Sequence, residues 1–318
     1  MSVPFNGWAT AVAIQAETTF NAASAATVYN LVGKTRVTQA VQFYGKTIRT
    51  DIWRMATTNA TNASSYNGTI EIELGFNAVT KLLLASFFEC YATTSLGGGL
   101  TQYSFRPHRA LGVSSFKIGL TYSPGGPYWV YSGVVIDSIA LSIMRSQTPK
   151  LTIQYKAAQF TNAGAADPLG SPTTVTKYLA NHVQCGLTLN AVALTNLFEA
   201  NFSLVETKSL AQFTSSGIAT RPGRESGFSF GGQIAEYFHA ASPLPAALRD
   251  QIDRAFVFTI TDPGATGRLL TINWPRVTLK DSLPEGISEK DLSYRVNFTG
   301  LQDTSLNDSS QANLIFVA

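Results

Sequence analysis

Apolar and polar residues alternate with a period of two along much of this chain, and that periodicity narrows its fold more than any other feature. Successive side chains of a strand point to opposite faces, so strict alternation marks a strand with one buried side. In Thr69-Ile70-Glu71-Ile72-Glu73-Leu74, residues Ile70, Ile72 and Leu74 face one way and the two glutamates the other. The pattern returns at Phe116–Tyr122, Asp137–Ile143 and Leu151–Tyr155, then at Phe256–Ile260, Leu270–Trp274 and Tyr294–Phe298. Breaker clusters such as Ser123-Pro124-Gly125-Gly126-Pro127 and Asp262-Pro263-Gly264 lie between runs, supplying fixed or positive φ where the chain reverses. Strands joined in this way build antiparallel sandwiches or barrels, so the expected class is all-β with minor helix.

Two segments carry helical spacing instead. From Ala78 to Tyr91, residues Val79, Leu82, Leu83, Phe87 and Cys90 fall on one stripe behind Asn77 as N-cap. Over 243–254, Leu244, Leu248 and Ile252 recur at i, i+4 and i+8 behind Ser242, with prolines confined to the first turn. Each helix follows a glycine-led strand. Setting Gly68–Leu74 on Gly231–Tyr237 makes the order strand, strand, helix, hairpin, strand occur twice, with Arg36–Tyr44 falling on Glu199–Thr207 at the same offset. The sequence therefore predicts two tandem β-sandwich or barrel domains, each with one flanking α-helix. They span residues 1–160 and 178–318, joined by a breaker-rich linker over 161–177. A second flexible stretch, Thr93–Leu100 with Gly97-Gly98-Gly99, lies inside the first domain.

Composition bears on the surface these domains present. At 318 residues with 45% hydrophobic side chains, both can bury a core. Charged residues make up only 14%, against roughly 25% in ordinary soluble domains, so the surface is weakly protected against association. We read that as preparation for contact with further copies of the chain; an uncharged monomer surface is the plainer alternative. A net charge of +3 gives no support to a nucleic-acid binder with a concentrated basic face. The distribution is uneven: residues 1–160 hold 12 Lys and Arg against 6 Asp and Glu, and residues 161–318 hold 11 against 14. Halves of opposite sign attract each other between subunits of a head-to-tail ring.

Motifs for chemistry are missing. His108, His182 and His239 have no partners at metal-ligand spacing, and Cys90 and Cys185 read as two reduced apolar residues. The sequence holds no Gly-x-x-x-x-Gly-Lys-Ser/Thr phosphate loop and no His-Glu-x-x-His. The glycine-rich run Gly227–Gly232 leads into a strand, not into a helix N-terminus that could hold phosphate. We therefore expect no cofactor, no metal and no enzymatic activity. The N-terminus has no basic n-region and no apolar run of roughly 18 residues occurs, so neither a signal peptide nor a membrane-spanning helix is expected. Glu71 and Glu73 stay open at this point between a solvated strand face and an acid–base pair, since alternate positions put their Cβ atoms roughly 6–7 Å apart.

Several segments together resemble one family. Ile14-Gln15-Ala16-Glu17-Thr18-Thr19-Phe20-Asn21 is similar to the Glu-Thr-Thr-x-Gly opening common in phage tail tube proteins, with Asn21 where glycine is usual. Ile48–Asp51, the Gly68–Leu74 strand with its leucine-rich helix, Ser115–Ile118 and Tyr128–Ile139 resemble further parts of that family. So do Leu187–Ala191, Gly232–Phe238 and Trp274–Val277. The likeness spans most of the chain.

That resemblance implies domains of the β-sandwich kind, each flanked by a helix, whose inner sheet joins neighbours into a continuous barrel. It implies a structural protein of the virion tail, assembled in the host cytoplasm. Such a protein stacks as rings into a conduit for genomic DNA, without reading its sequence, and meets the tape-measure protein and the tail terminator. Two tube domains in one chain fit a trimeric ring of pseudo-sixfold symmetry, a hexamer being the other possibility. Under this reading Glu71, Glu73 and, from the second repeat, Glu236 face the lumen, where carboxylates repel a passing phosphate backbone. Thr93, Gly97, Gly98 and Gly99 belong to a loop that orders on the neighbouring ring. Two rivals stand beside it. One is another virion β protein, from the baseplate or decorating the capsid. The other is a carbohydrate-binding or hydrolytic β-sandwich, which would present Trp129 and Trp274 on one exposed groove.

Overall fold

The computed structural model describes residues 11–22, 25–31, 33–47, 56–107, 114–121, 128–162, 169–176, 178–213, 219–224, 228–237, 242–250, 253–264, 267–280, 285–286, 292–301 and 313–318. In the first half the order is β1 (Ala11–Ala16), β2 (Val28–Asn30), β3 (Gly33–Thr47), β4 (Ala56–Glu73), α1 (Ala78–Phe87), β5 (Glu89–Gly97), β6 (Leu100–Arg106), β7 (Phe116–Thr121), β8 (Tyr128–Met144), β9 (Lys150–Ala157) and β10 (Gln159–Asn162). The second half holds β11 (Cys185–Leu189), β12 (Val192–Leu194), β13 (Leu197–Val205), β14 (Lys208–Phe213), β15 (Ala219–Arg224), β16 (Ser229–Tyr237), α2 (Leu244–Asp250), β17 (Arg254–Thr261), β18 (Leu269–Lys280), β19 (Glu285–Gly286), β20 (Leu292–Gly300) and β21 (Asn313–Val317). The fold is all-β with two short helices, and every pairing between these strands is antiparallel.

The two halves pair their strands in the same order. In the first, hydrogen bonding runs β2-β1-β7-β8-β9-β4-β3. In the second it runs β12-β11-β17-β18-β20-β16-β13. Seven strands with matching connections, and a helix after the sixth in each order, constitute an internal repeat. Register fixes its alignment: Gly68 lies opposite Tyr155 and Gly232 opposite Phe298, so Gly68 corresponds to Gly232. The sequence alignment on Gly231 was one residue out. In a strand, one residue exchanges the faces, and the consequence falls on Glu236, which takes the place of Ile72 in the core.

Strand β8 joins the halves. Up to Val134 it lies between β7 and β10; beyond a bulge at Asp137 it lies between β9 and β13. Gly133, at φ +60°, and the bulge let one strand pass from one sheet into another. Strands β3-β4-β9-β8-β13-β16-β20-β18 thus form a continuous eight-strand run across both halves. A second bond between the halves is β21, which pairs with β18 on one side and β6 on the other. Within the linker, Thr173 lies beside Tyr29 of β2, and Leu169 is buried against Gly119.

One buried cluster runs through both halves. The first mixes aliphatic and aromatic side chains, with Ile70, Ile118, Ile139, Ile153 and the Leu83 face of α1 beside Phe76, Phe116 and Tyr155; the second packs Phe202, Phe230, Phe256, Phe258, Phe298 and Trp274 ring against ring. Rings of this size need small neighbours: a Cβ on Gly300 would stand 2.5 Å from the Trp274 indole nitrogen. Helix α1 starts as expected, with the Asn77 side chain accepting from the Thr80 N–H at 3.1 Å. It stops at Phe87 instead of Tyr91 because consecutive Phe87 and Phe88 are both buried, edge to face at 4.8 Å, and an extended Phe88 directs the chain into β5. Helix α2 is capped by Ser242, whose hydroxyl accepts from the Leu244 N–H at 3.2 Å.

Candidate assembly surface

The Glu17–Asn21 segment is an internal clamp. The Glu17 carboxylate accepts from the Ser115 hydroxyl at 2.5 Å and the Asn21 N–H at 3.0 Å through one oxygen, and from the Gly133 N–H at 3.1 Å through the other. It therefore ties the end of β1 to the start of β7 and the bend of β8. Burial raises its pKa above the ordinary carboxylate value, and the three donors pull back against that rise. Asn21 sits at φ +55°, the left-handed region that glycine enters freely and Asn tolerates. Its side chain accepts from Ser132 at 2.6 Å and donates to Gln159 at 3.1 Å. Asparagine in the usual glycine place is thus a working replacement.

The eight-strand run has one face on the core and one away from it. Register puts a row of polar residues straight across the second face: Glu73, Lys150, Ser142, Asn201, Gln233, Asn297 and Lys280. Charges here come in opposite-sign neighbours. Lys150 meets Glu71 at 3.3 Å, Lys156 meets Asp137 at 2.9 Å, and Arg295 meets Glu199 at 3.0 Å across the small side chain of Ala235. Glu71 and Glu73 are both on this face. Glu236 is not: it is wholly buried, its carboxylate accepting from the Ser242 hydroxyl at 2.6 Å and the Asn196 N–H at 3.5 Å. A side chain in that place cannot line a bore, and the one-residue register difference is the reason.

The stretch around Thr93 and Gly97–Gly99 is a β-hairpin in place of a flexible loop. Strand β5 pairs along β6, the three glycines turn at φ between +61° and +82°, and Glu89 with Arg106 closes the base at 2.8 Å. Threonine-rich β-branched composition explains the strand pairing. The outer edge of β5 has no partner among the described residues, and its residues from Cys90 to Gly97 are exposed.

Both ends of the eight-strand run are open edges among the described residues. β3 pairs only with β4, and β18 from Thr278 to Lys280, continued by β19, pairs only with β20. They are the first and last strands of the eight-strand run.

Nothing among the described residues groups three metal-ligating side chains, and none of the described helices is long and apolar enough to cross a membrane. His108 and His239 lie outside the described residues. Cys90 and Cys185 are free thiols, Cys185 pushed up to about 12 by burial. Trp274 is buried on Phe230 at 4.5 Å and Trp129 is half-buried against Phe160 at 5.5 Å, so the two do not form the exposed groove a sugar-binding surface requires.

A duplicated antiparallel fold, a polar sheet face and open strands at both ends of one sheet define a β protein built for self-association. The model of the phage tail tube protein family matches residues 7–300, and the chain belongs to that family. No curated protein matches it. Its role is structural, as a tube component of the virion tail; proteins of this family assemble as homo-oligomers stacked into a tube.

Proposed function

We propose that this chain closes into a trimeric ring by joining β18 and β19 of one copy to β3 of the next, and that rings stack into the bore through which DNA leaves. The reading rests on the repeat. Inside the chain, β8 of the first half pairs with β13 of the second. The repeat counterpart of β8 is β18 with β19, and the counterpart of β13 is β3, and each has a free edge among the described residues. Open edges are sites for another chain. The internal junction thus serves as a template for the external one, in which the pair Asn201–Ser142 becomes Arg36–Glu285, a basic residue facing an acidic one.

Stagger supports closure. Along the polar row, Lys150 is on level with Asn297, whose repeat counterpart is Gln154, so each half advances the register by four residues over four strands. At about 3.3 Å per residue and 4.8 Å per strand that is a tilt of about 35°, within the range of closed barrels. Three copies supply ~24 strands and a backbone diameter of about 45 Å, wide enough for duplex DNA. In this arrangement residues 1–160 and 178–318 act as two tube domains, with Glu71 and Glu73 on the bore. The β5–β6 tip, Thr93 to Gly99, reaches the adjoining ring, and assembly takes place in the host cytoplasm.

Arg36→Cys with Glu285→Cys in one chain tests the seam. Oxidised rings should run as a covalent, reducible trimer, and negative-stain images should show hollow rods. A ladder ending at six copies would replace the trimer by a hexamer, while cross-linking no better than in the single variants would sink edge-to-edge closure.

A further inference from the structure

We infer that the bore wall of this tube is charge-compensated, its carboxylates masking neighbouring lysines and arginines so that DNA is neither held nor repelled. This rests on the tube reading above and concerns the chemistry of its polar face. Among the described side chains there, Asp137, Glu71, Glu73 and Glu199 are balanced by Lys150, Lys156, Lys280 and Arg295.

Their placement is paired. Three of the four cations reach a carboxylate at 2.9–3.3 Å on a nearby strand, and Glu73 stands in register opposite Lys150. Arg295 reaches Glu199 over Ala235, a residue small enough to lie buried beneath the pair. Between the charges the wall is hydroxyl and amide, with Ser142, Asn201, Gln233 and Asn297 in one row and Gln233 donating to Asn297 at 3.1 Å.

A polyanion binds cations by releasing its counterions, and affinity climbs with each phosphate neutralised. A carboxylate fixed about 3 Å from an ammonium competes for that cation from within the wall. Compensation and repulsion therefore differ in sign. If the acids serve to mask, removing them creates a DNA-binding surface. If they serve to repel, removing them leaves a wall that still binds nothing. Removing a base creates no binding in either case.

Tubes of wild-type chain, Glu71→Gln with Glu199→Gln, Lys150→Gln and Asp250→Asn are first checked as rods by negative stain. They are then sedimented with a short fluorescent DNA duplex at ~50 mM and ~200 mM salt. We expect the double glutamine tubes to retain roughly tenfold more duplex than wild type at the lower salt and to lose that excess at the higher. Glu71→Gln alone, at a half-exposed pair, should show the same sign at smaller size. Lys150→Gln and Asp250→Asn, the latter on α2 away from the polar face, should match wild type. Double-variant tubes that leave the duplex in the supernatant, wild-type tubes that retain it, or Asp250→Asn tubes that retain as much as the double variant would each overturn compensation. Absence of rods from the wild-type chain would be visible before DNA is added, and would remove the tube reading with the inference built on it.

Discussion

Asn21 carries two functions that a mutation can separate. Its left-handed backbone is a demand any L-residue with a Cβ resists, and its amide bridges Ser132 and Gln159. Asn21→Gly keeps the conformation and loses the bridges, whereas Asn21→Ala loses both. We expect Ala to unfold more easily than Gly by about 1 kcal/mol in urea; equal stability would mean the φ at this position costs nothing. Asp253 supplies the pH dependence. Hydrogen bonding to Arg276, then to Thr278, lowers its pKa below the ordinary carboxylate value. A carboxylate depressed in the folded state binds fewer protons there than in the unfolded chain, so its contribution is complete above the ordinary value and is lost as pH falls through the folded one. Asp253→Asn should therefore be less stable than wild type at neutral pH, with the gap closing as pH falls below the ordinary carboxylate value. A gap independent of pH would assign the loss to packing.

At the scale of elements, the β5–β6 hairpin is fastened at its base by Glu89–Arg106 and along β6 by β21, while the outer edge of β5 pairs with no other strand among the described residues. Replacing 93–99 with a short turn should leave far-UV circular dichroism and the unfolding midpoint of the subunit near wild type. The same deletion should stop rings from stacking into rods, as seen by microscopy and light scattering. Rods of normal length would free the tip of any role between rings. The hairpin also marks where sequence reading met its limit. Glycines at 97–99 look the same in a mobile loop and in a tight turn, and only pairing with β6 and β21 distinguishes them. The reverse holds for β4 and β7, where alternating Ile70, Ile72 and Ile118, Leu120 made the buried face readable directly.

For the whole molecule, the halves are distinct in topology and joined in hydrogen bonding. Strand β13 has its own half on one side, through β16, and the other half on the opposite side, through β8. The cores of the two halves belong to one buried cluster, and a charged knot of Glu206 and Lys208 is buried near Asp137 and Lys156 at the junction. Breaking that knot by removing one partner leaves a buried charge without compensation. We accordingly expect one urea transition, coincident by fluorescence and circular dichroism. Two separated transitions would show that the halves are energetically independent despite their shared sheet.

Read alone, the sequence determined the strand faces, the helix starts at Asn77 and Ser242, the existence of a repeat and the likeness to the tail tube family. These are local properties, written in periodicity, caps and short motifs. It left the alignment of the repeat one residue out, because register depends on which residues oppose each other across strands and not on spacing within one. Only the tertiary structure moved Glu236 from the polar face into the core, turned the glycine stretch into a hairpin and set Glu71, Asp137 and Glu199 each beside a cation. The open edges at β3 and β18 likewise depend on pairing across strands, which no single segment of sequence records.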